Sequence, residues 1–276
     1  MISGDAQGLV RMTTTHTLEA PGVRLYYEVR GSGPLLLLTG SPMGAAMFGP
    51  LADALAGDFT VVTHDPRGIS GSRLDDPEQD STPDLRAADL VALLDALGAE
   101  SADVFGSSGG AVTGLALVAS HPGRVRTLVA HEPPLLDLLP DAAERHAATE
   151  DIVETFHRDG AGAAWVKFMI AAGFDVPEEA SGPPGEPTEQ DLADNARFFS
   201  HELRGTTHYV PDVAALKAAS SRVVVGVGAD SKGLVTYRTS LAIADLLGTE
   251  PAEFPGEHGG FLGQPNEFAE ALRKIL

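Results

Sequence analysis

Two serines stand among three glycines in the segment "FGSSGG", which runs from Phe105 to Gly110. The segment fits the pattern Gly-x-Ser-x-Gly with Ser108 at its centre, between a strand-like stretch and an Ala/Val/Leu-rich helical one. A serine on such a tight strand-to-helix turn presents its hydroxyl as a potential nucleophile. Because a serine hydroxyl is a weak nucleophile at neutral pH, the chemistry also requires a base and an acid that orients the base.

The remaining members of a catalytic triad should follow in the order acid, then histidine. His258, in "GEHGGF", is the one histidine of the sequence beyond Asp230, which follows the strand-like stretch "VVVGVG". The sequence therefore predicts Ser108, Asp230 and His258 as a triad. Two alternatives remain open. Glu132 follows another predicted strand and could be the acid, and Asp230 could simply cap the next helix.

Acyl transfer also requires backbone N–H groups that stabilise the oxyanion of a tetrahedral intermediate. We expect one from Gly109, directly after the nucleophile, and one from Ser41, in the loop "TGSPMG" that follows an earlier strand. The predicted substrate pocket adds residues from the same loops and from neighbouring strand ends. These are Gly40, Met43, Ser107, His131 and Phe261.

The elements that must position these residues follow an alternating pattern. Strand-like and helix-like stretches alternate along most of the chain, which predicts an α/β fold with a mostly parallel sheet and helices on both faces. The pattern breaks after Glu132, where helical pieces and a loop rich in Pro, Gly and Glu occur without a convincing strand. We therefore predict an α/β core of residues 1–132 and 219–276, with residues 133–218 as a helical insertion over one edge of the sheet.

Composition and charge narrow the class of protein. The chain has 276 residues and no cysteine, which excludes disulfides, thiolate metal sites and a cysteine nucleophile. A formal net charge of −20 argues against nucleic acids and anionic membranes as partners. The N-terminus lacks a basic start followed by an apolar core, and the apolar runs are too short to span a membrane. We expect a cytoplasmic protein with a small-molecule substrate and no metal. A homodimer is one option that the sequence leaves open.

Five segments, taken in order, resemble the α/β-hydrolase family in its single-domain form with a helical cap. "LLLLTGSPMG" is similar to the oxyanion loop, "HDPRGISGS" to the Asp-x-Arg-Gly turn, "FGSSGG" to the nucleophile elbow, "GVGAD" to the acid turn and "GEHGGF" to the histidine loop. The resemblance covers about Val23 to Leu276. It implies the α/β-hydrolase fold, with Ser108 as nucleophile, His258 as base, Asp230 as acid and a cap that controls the substrate.

Two positions depart from the pattern of that family. Thr39-Gly40 stands where many members have His-Gly, and Ser107 stands where a larger residue, often histidine, is frequent. Both positions lie near the expected pocket, so both obscure the substrate class.

These residues predict a cofactor-independent serine hydrolase that cleaves a small carboxylic ester, thioester or lactone through an acyl-enzyme on Ser108. The same triad could instead serve carbon–carbon bond hydrolysis, lyase or perhydrolase chemistry, and a panel of esters and diketones would separate these reactions. A hydrolase-like receptor without turnover is a further alternative, which a fluorophosphonate probe of Ser108 would test.

Overall fold

The structure, a computed structural model, describes residues 13–176 and 187–276. Its strands are β1 (Thr14–Ala20), β2 (Val23–Gly31), β3 (Leu35–Thr39), β4 (Thr60–His64), β5 (Arg73–Leu74), β6 (Ala102–Ser107), β7 (Val125–His131), β8 (Arg222–Gly228) and β9 (Ala252–Phe254). Its helices are α1 (Ala45–Leu55), α2 (Pro83–Ala96), α3 (Gly109–Ser120), α4 (Ala142–Asp159), α5 (Ala161–Ala172), α6 (Glu189–His201), α7 (Leu203–Thr207), α8 (Val213–Ala218), α9 (Val235–Leu247), α10 (Gly260–Gly263) and α11 (Pro265–Arg273). None of the helices in the described residues is both long and apolar enough to cross a membrane.

The strands form one mostly parallel sheet in the spatial order β1-β2-β4-β3-β6-β7-β8-β9, with β5 beside β2. β1, β4 and β5 pair with β2 in antiparallel fashion, whereas the strands from β4 across to β9 pair with their neighbours in parallel. The carboxyl ends of the parallel strands therefore lie at one edge of the sheet, which is where ligands bind in folds of this kind. This architecture confirms the predicted fold class.

Helices cover both faces of the sheet and hold the strand ends in place. On one face, Leu90 of α2, Leu115 of α3 and Ile243 of α9 are fully buried against the strands. On the other face, Phe48 of α1 and Leu272 of α11 are fully buried. Burying each such side chain contributes about 1.5–3 kcal/mol. The two apolar layers thus make the edge of the sheet a rigid support for the loops that follow the strands.

Between β7 and β8 the chain forms the helices α4 to α8. The helices α4 to α7 share an apolar cluster that includes Ile152, Phe198 and Phe199, whereas Leu216 of α8 packs in the layer that contains α2 and α3. We refer to residues 133–218 as the inserted segment. The predicted core and insertion include residues 1–12 and 177–186, which lie outside the described residues, so a division into core and cap at these boundaries stays a prediction.

Candidate active site

The nucleophile candidate lies on a sharp turn between β6 and α3. Ser108 has a φ of 56° and a ψ of −122°, in a region that non-glycine residues rarely occupy. A Cβ at Gly106 would overlap the carbonyl oxygen of Gly110, and a Cβ at Gly110 would overlap that of Thr39. The two glycines are thus required by the close approach of backbone to backbone, and the turn places Ser108 on the wall of a cavity.

His258 lies on the wall of the same cavity, in the loop between β9 and α10. Its Nδ1 atom is 2.6 Å from Oε2 of Glu132. Because a carboxylate only accepts hydrogen bonds, Nδ1 carries the proton of the neutral imidazole, and in that form Nε2 is the nitrogen with the lone pair. The imidazole is therefore held in the tautomer that a general base requires.

Glu132 is the first residue after β7, and its side chain is fully buried. Its Oε1 atom accepts the N–H of Gly228 at 2.8 Å, and its Oε2 atom accepts the hydroxyl of Thr236 at 2.9 Å in addition to His258. Burial by itself would raise the pKa of Glu132. The hydrogen bond and the charge interaction with His258 outweigh burial and lower the pKa from 4.5 to about 2. Glu132 is consequently an anion at neutral pH.

The structure thus corrects the predicted acid, because the carboxylate that contacts His258 is that of Glu132 rather than that of Asp230. Asp230 lies two residues beyond the end of β8, and its side chain is exposed. Its backbone N–H donates to the carbonyl of Gly256 at 2.9 Å, which ties the β8 loop to the histidine loop. The alternative that assigned the acid to Glu132 agrees with these contacts. The sequence suggests Glu132 as a possible acid, but it does not decide between Glu132 and Asp230, because both lie between Ser108 and His258 in the chain.

The two residues predicted to supply oxyanion donors lie side by side. Ser41 follows β3 and Gly109 is the first residue of α3, and both line the cavity beside Ser108. A Cβ built on Gly109 would lie 2.8 Å from the Cβ and Oγ atoms of Ser41, so the two backbones approach closely. This proximity is what two converging backbone donors require.

The cavity has a volume of about 370 Å³, which is the size of a small-molecule site. Met43 contributes to its wall near Ser41, as the pocket prediction requires. Most of the remaining wall comes from apolar side chains of the inserted segment. They include Leu136, Ile152, Trp165, Phe168, Phe198 and Leu203. The wall of the cavity is therefore mostly apolar, and Ser108 and His258 are among its few polar residues.

The other four residues predicted for the pocket lie beneath the site rather than on the cavity wall. Ser107 and His131 are fully buried, and Oγ of Ser107 is 3.3 Å from Nδ1 of His131. Phe261 stacks on Phe48 in the apolar layer with 5.1 Å between ring centroids, and Gly40 lies against the same Phe48 ring. The sequence does not show which side chains of these loops and strand ends turn toward the cavity.

Burial lowers the pKa of His131 to about 4, so this ring is neutral at physiological pH. It stacks beneath His258 with 6.2 Å between the ring centroids, and it contacts the rings of Phe105, Phe254 and Phe268. His131 thus packs beneath the imidazole of His258 as a neutral ring.

Thr39 is one of the two residues at which the sequence departs from the expected family pattern. Oγ1 of Thr39 lies 3.0 Å from Nε2 of His64, at the end of the neighbouring strand β4. Nδ1 of His64 donates to the carbonyl of Asp65 at 3.2 Å, so Nε2 is the acceptor for the threonine hydroxyl. A histidine from β4 therefore packs beneath the oxyanion loop. Within residues 13–176 and 187–276, no group of three or more His, Asp or Glu side chains is arranged to hold a metal ion.

Comparison with known proteins identifies the family of this chain. The sequence model of the alpha/beta hydrolase fold matches residues 33–203. An uncharacterised hydrolase of Bacillus subtilis (strain 168), YraK, is 35% identical over 265 residues, which cover 94% of this chain and 95% of that protein. A zearalenone hydrolase of Cladophialophora bantiana is 30% identical over 270 residues, which cover 94% and 96%. A thermophilic esterase from Thermogutta terrifontis shares the fold, with a TM-score of 0.73, 20% identity and coverage of 96% and 97%. The chain therefore belongs to the α/β-hydrolase fold family and is a hydrolase of that family.

Proposed function

We propose that this hydrolase is a cofactor-independent serine hydrolase that cleaves small carboxylic esters, thioesters or lactones through an acyl-enzyme on Ser108. The observation that carries the proposal is the 2.6 Å contact between Nδ1 of His258 and Oε2 of Glu132, with His258 and Ser108 on the wall of one cavity. An ionised, buried carboxylate behind an imidazole is the arrangement that turns a neighbouring serine into a nucleophile.

The proposed reaction begins with general base catalysis. Nε2 of His258 takes the proton from Ser108 as Oγ attacks the carbonyl carbon of the substrate. The negative charge that develops on the carbonyl oxygen is stabilised by the N–H groups of Gly109 and Ser41. The tetrahedral intermediate then collapses. The bond to the leaving group breaks, and His258 donates its proton to the departing alkoxide or thiolate.

In the second half of the proposed reaction, water hydrolyses the acyl-enzyme. His258 takes a proton from water, the hydroxide attacks the acyl-enzyme, and collapse of the second intermediate returns the proton to Ser108. Glu132 remains ionised throughout and stabilises the imidazolium that forms in each half of the reaction. The buried position of Glu132 strengthens this effect because solvent does not screen the interaction.

The cavity favours an apolar, uncharged substrate. Two of the threonines in its wall turn their hydroxyls to helix carbonyls: Thr149 donates to Arg145 at 3.1 Å, and Thr207 donates to Leu203 at 2.9 Å. Arg145 also lines the wall, and its guanidinium is paired with Asp141 at 2.8 Å. The wall is thus less polar than these residue types suggest. One relative is named for the hydrolysis of zearalenone, which makes zearalenone a first compound to assay beside simple esters and lactones.

Ser108→Ala tests the proposal, together with a fluorophosphonate probe. We expect the probe to label the wild-type protein at Ser108, identified by mass spectrometry. We expect kcat with p-nitrophenyl acetate or butyrate to fall by about 10⁶-fold in the variant, since a triad without its nucleophile retains little activity. Ser120→Ala is a matched control because this serine lies at the far end of α3, where its hydroxyl bonds to the carbonyl of Ala116. Turnover that persists in Ser108→Ala, or a wild-type protein that the probe does not label, would contradict the mechanism.

A further inference from the structure

Thr236 contacts the carboxylate behind the imidazole. It is the second residue of α9, and its hydroxyl donates to Oε2 of Glu132 at 2.9 Å. The same hydroxyl oxygen is 3.5 Å from Nδ1 of His258, and Thr236 also lines the cavity. One oxygen of Glu132 therefore receives hydrogen bonds from both the imidazole and the threonine.

The position of Thr236 in its helix explains why its hydroxyl is free for this contact. A threonine or serine inside a helix usually bonds back to the carbonyl four residues earlier. Ser240, one turn later in α9, does so and donates to the carbonyl of Thr236 at 2.7 Å. Thr236 lies in the first turn, so no helical turn precedes it, and its hydroxyl is directed to Glu132 instead.

The first turns of α9 are held firmly against the segment that carries Glu132. The hydroxyl of Thr239 donates at 2.6 Å to the carbonyl of Pro133, which is the residue after Glu132. Arg238 forms an ion pair with Asp141 at 2.7 Å. These contacts anchor α9 two and three residues after Thr236, so its hydroxyl is held next to Oε2 by a well-anchored helix.

We propose that Thr236 is a positioning residue of the triad, whose hydroxyl fixes Oε2 of Glu132 and thereby the orientation of the His258 imidazole. This inference rests on the proposed serine-hydrolase function. Without the hydroxyl, the carboxylate loses one of the hydrogen bonds to Oε2 and gains freedom to rotate. The imidazole then points less sharply at Ser108, so the loss should appear in kcat rather than in KM.

Thr236→Val and Thr236→Ser test the role of the hydroxyl. Valine has nearly the same shape but no hydroxyl, and we expect a fall in kcat of about tenfold, the usual effect of one hydrogen bond, with KM within about twofold. Serine restores the hydroxyl and should restore kcat. Ser240→Ala is a matched control because it removes a buried hydroxyl from the same helix that bonds within the helix and does not contact Glu132. An equal loss of kcat in Ser240→Ala, or no rescue by serine, would overturn the inference.

A double-mutant cycle separates an effect through Glu132 from direct contact with the substrate. If Thr236 acts through the carboxylate, Thr236→Val should have little further effect in a Glu132→Gln background. The rate of fluorophosphonate labelling at Ser108 is the readout, since it requires no knowledge of the natural substrate. A tenfold effect that persists in the Glu132→Gln background would assign Thr236 to substrate binding and refute the positioning role. Failure of the wild-type protein to be labelled would instead refute the serine-hydrolase proposal itself.

Discussion

The loops that follow β7 and β8 leave the same edge of the sheet, and each carries an acidic residue just beyond its strand. Glu132, after β7, has a φ of 51°, is fully buried and bonds to His258. Asp230, after β8, is exposed, and its loop contributes a backbone contact to Gly256. Both positions suit a triad acid in the order of the chain. The two loops differ in the direction of the acidic side chain: that of Glu132 turns inward to His258, whereas that of Asp230 turns outward to solvent.

The supply of hydrogen-bond donors explains why the buried site belongs to Glu132. A buried carboxylate is costly unless its oxygens are hydrogen-bonded. The carboxylate of Glu132 accepts hydrogen bonds from the N–H of Gly228, at the end of β8, and from the hydroxyl of Thr236 in α9. The β8 strand thus serves the site through its backbone rather than through an acidic side chain. A carboxylate after a strand is only a candidate acid, and its partners decide its role.

Of the substitutions that test the roles of the two loops, Glu132→Gln should lower the activity most. The amide keeps the shape of the side chain but removes the charge that stabilises the imidazolium, and its NH₂ group can favour the wrong imidazole tautomer. We expect kcat/KM for an ester substrate to fall by about 10³- to 10⁴-fold. Circular dichroism would verify that the variant folds. Activity within tenfold of wild type would mean that the acid lies elsewhere, with Asp230 the first residue to examine.

A second effect concerns stability at acid pH. The pKa of Glu132 falls from 4.5 to about 2 on folding, so its ionised form stabilises the folded protein above about pH 4.5. This contribution is lost as the pH falls toward 2, and it amounts to about 3 kcal/mol. Urea unfolding of the wild type and of Glu132→Gln between pH 5 and pH 2.5 would measure it. The free energy of unfolding should decline more steeply in the wild type, and parallel curves would show that Glu132 is not anchored as described.

The smallest effect is expected from Asp230→Asn, the counterpart of the first substitution in the other loop. Its side chain is exposed, and no contact with His258 occurs among the described residues. We expect kcat/KM to stay within about twofold of wild type, since surface substitutions away from special features have small effects. The decline of stability with acid should match that of the wild type as well. A loss comparable to that of Glu132→Gln would reverse the assignment of the two loops.

The loop after β3 shows a second contact that the sequence does not predict. The imidazole of His64, on the adjacent strand β4, contacts the hydroxyl of Thr39. The two residues are distant in the chain, and only the parallel pairing of β3 and β4 brings them together.

The sequence by itself determined the fold class, and it predicted the turn at Ser108 and the histidine loop of His258, because these depend on local signals. Alternating apolar stretches specify strands and helices, and glycines at 106 and 110 are needed wherever the backbone passes so close to itself. Tertiary structure decided that Glu132 faces His258, that Ser107 and His131 lie beneath the cavity rather than on its wall, and that Thr236 holds the carboxylate. These outcomes depend on the direction of each side chain at a strand end and on hydrogen-bond donors from distant segments. Neither can be inferred from the residues next to it in the chain.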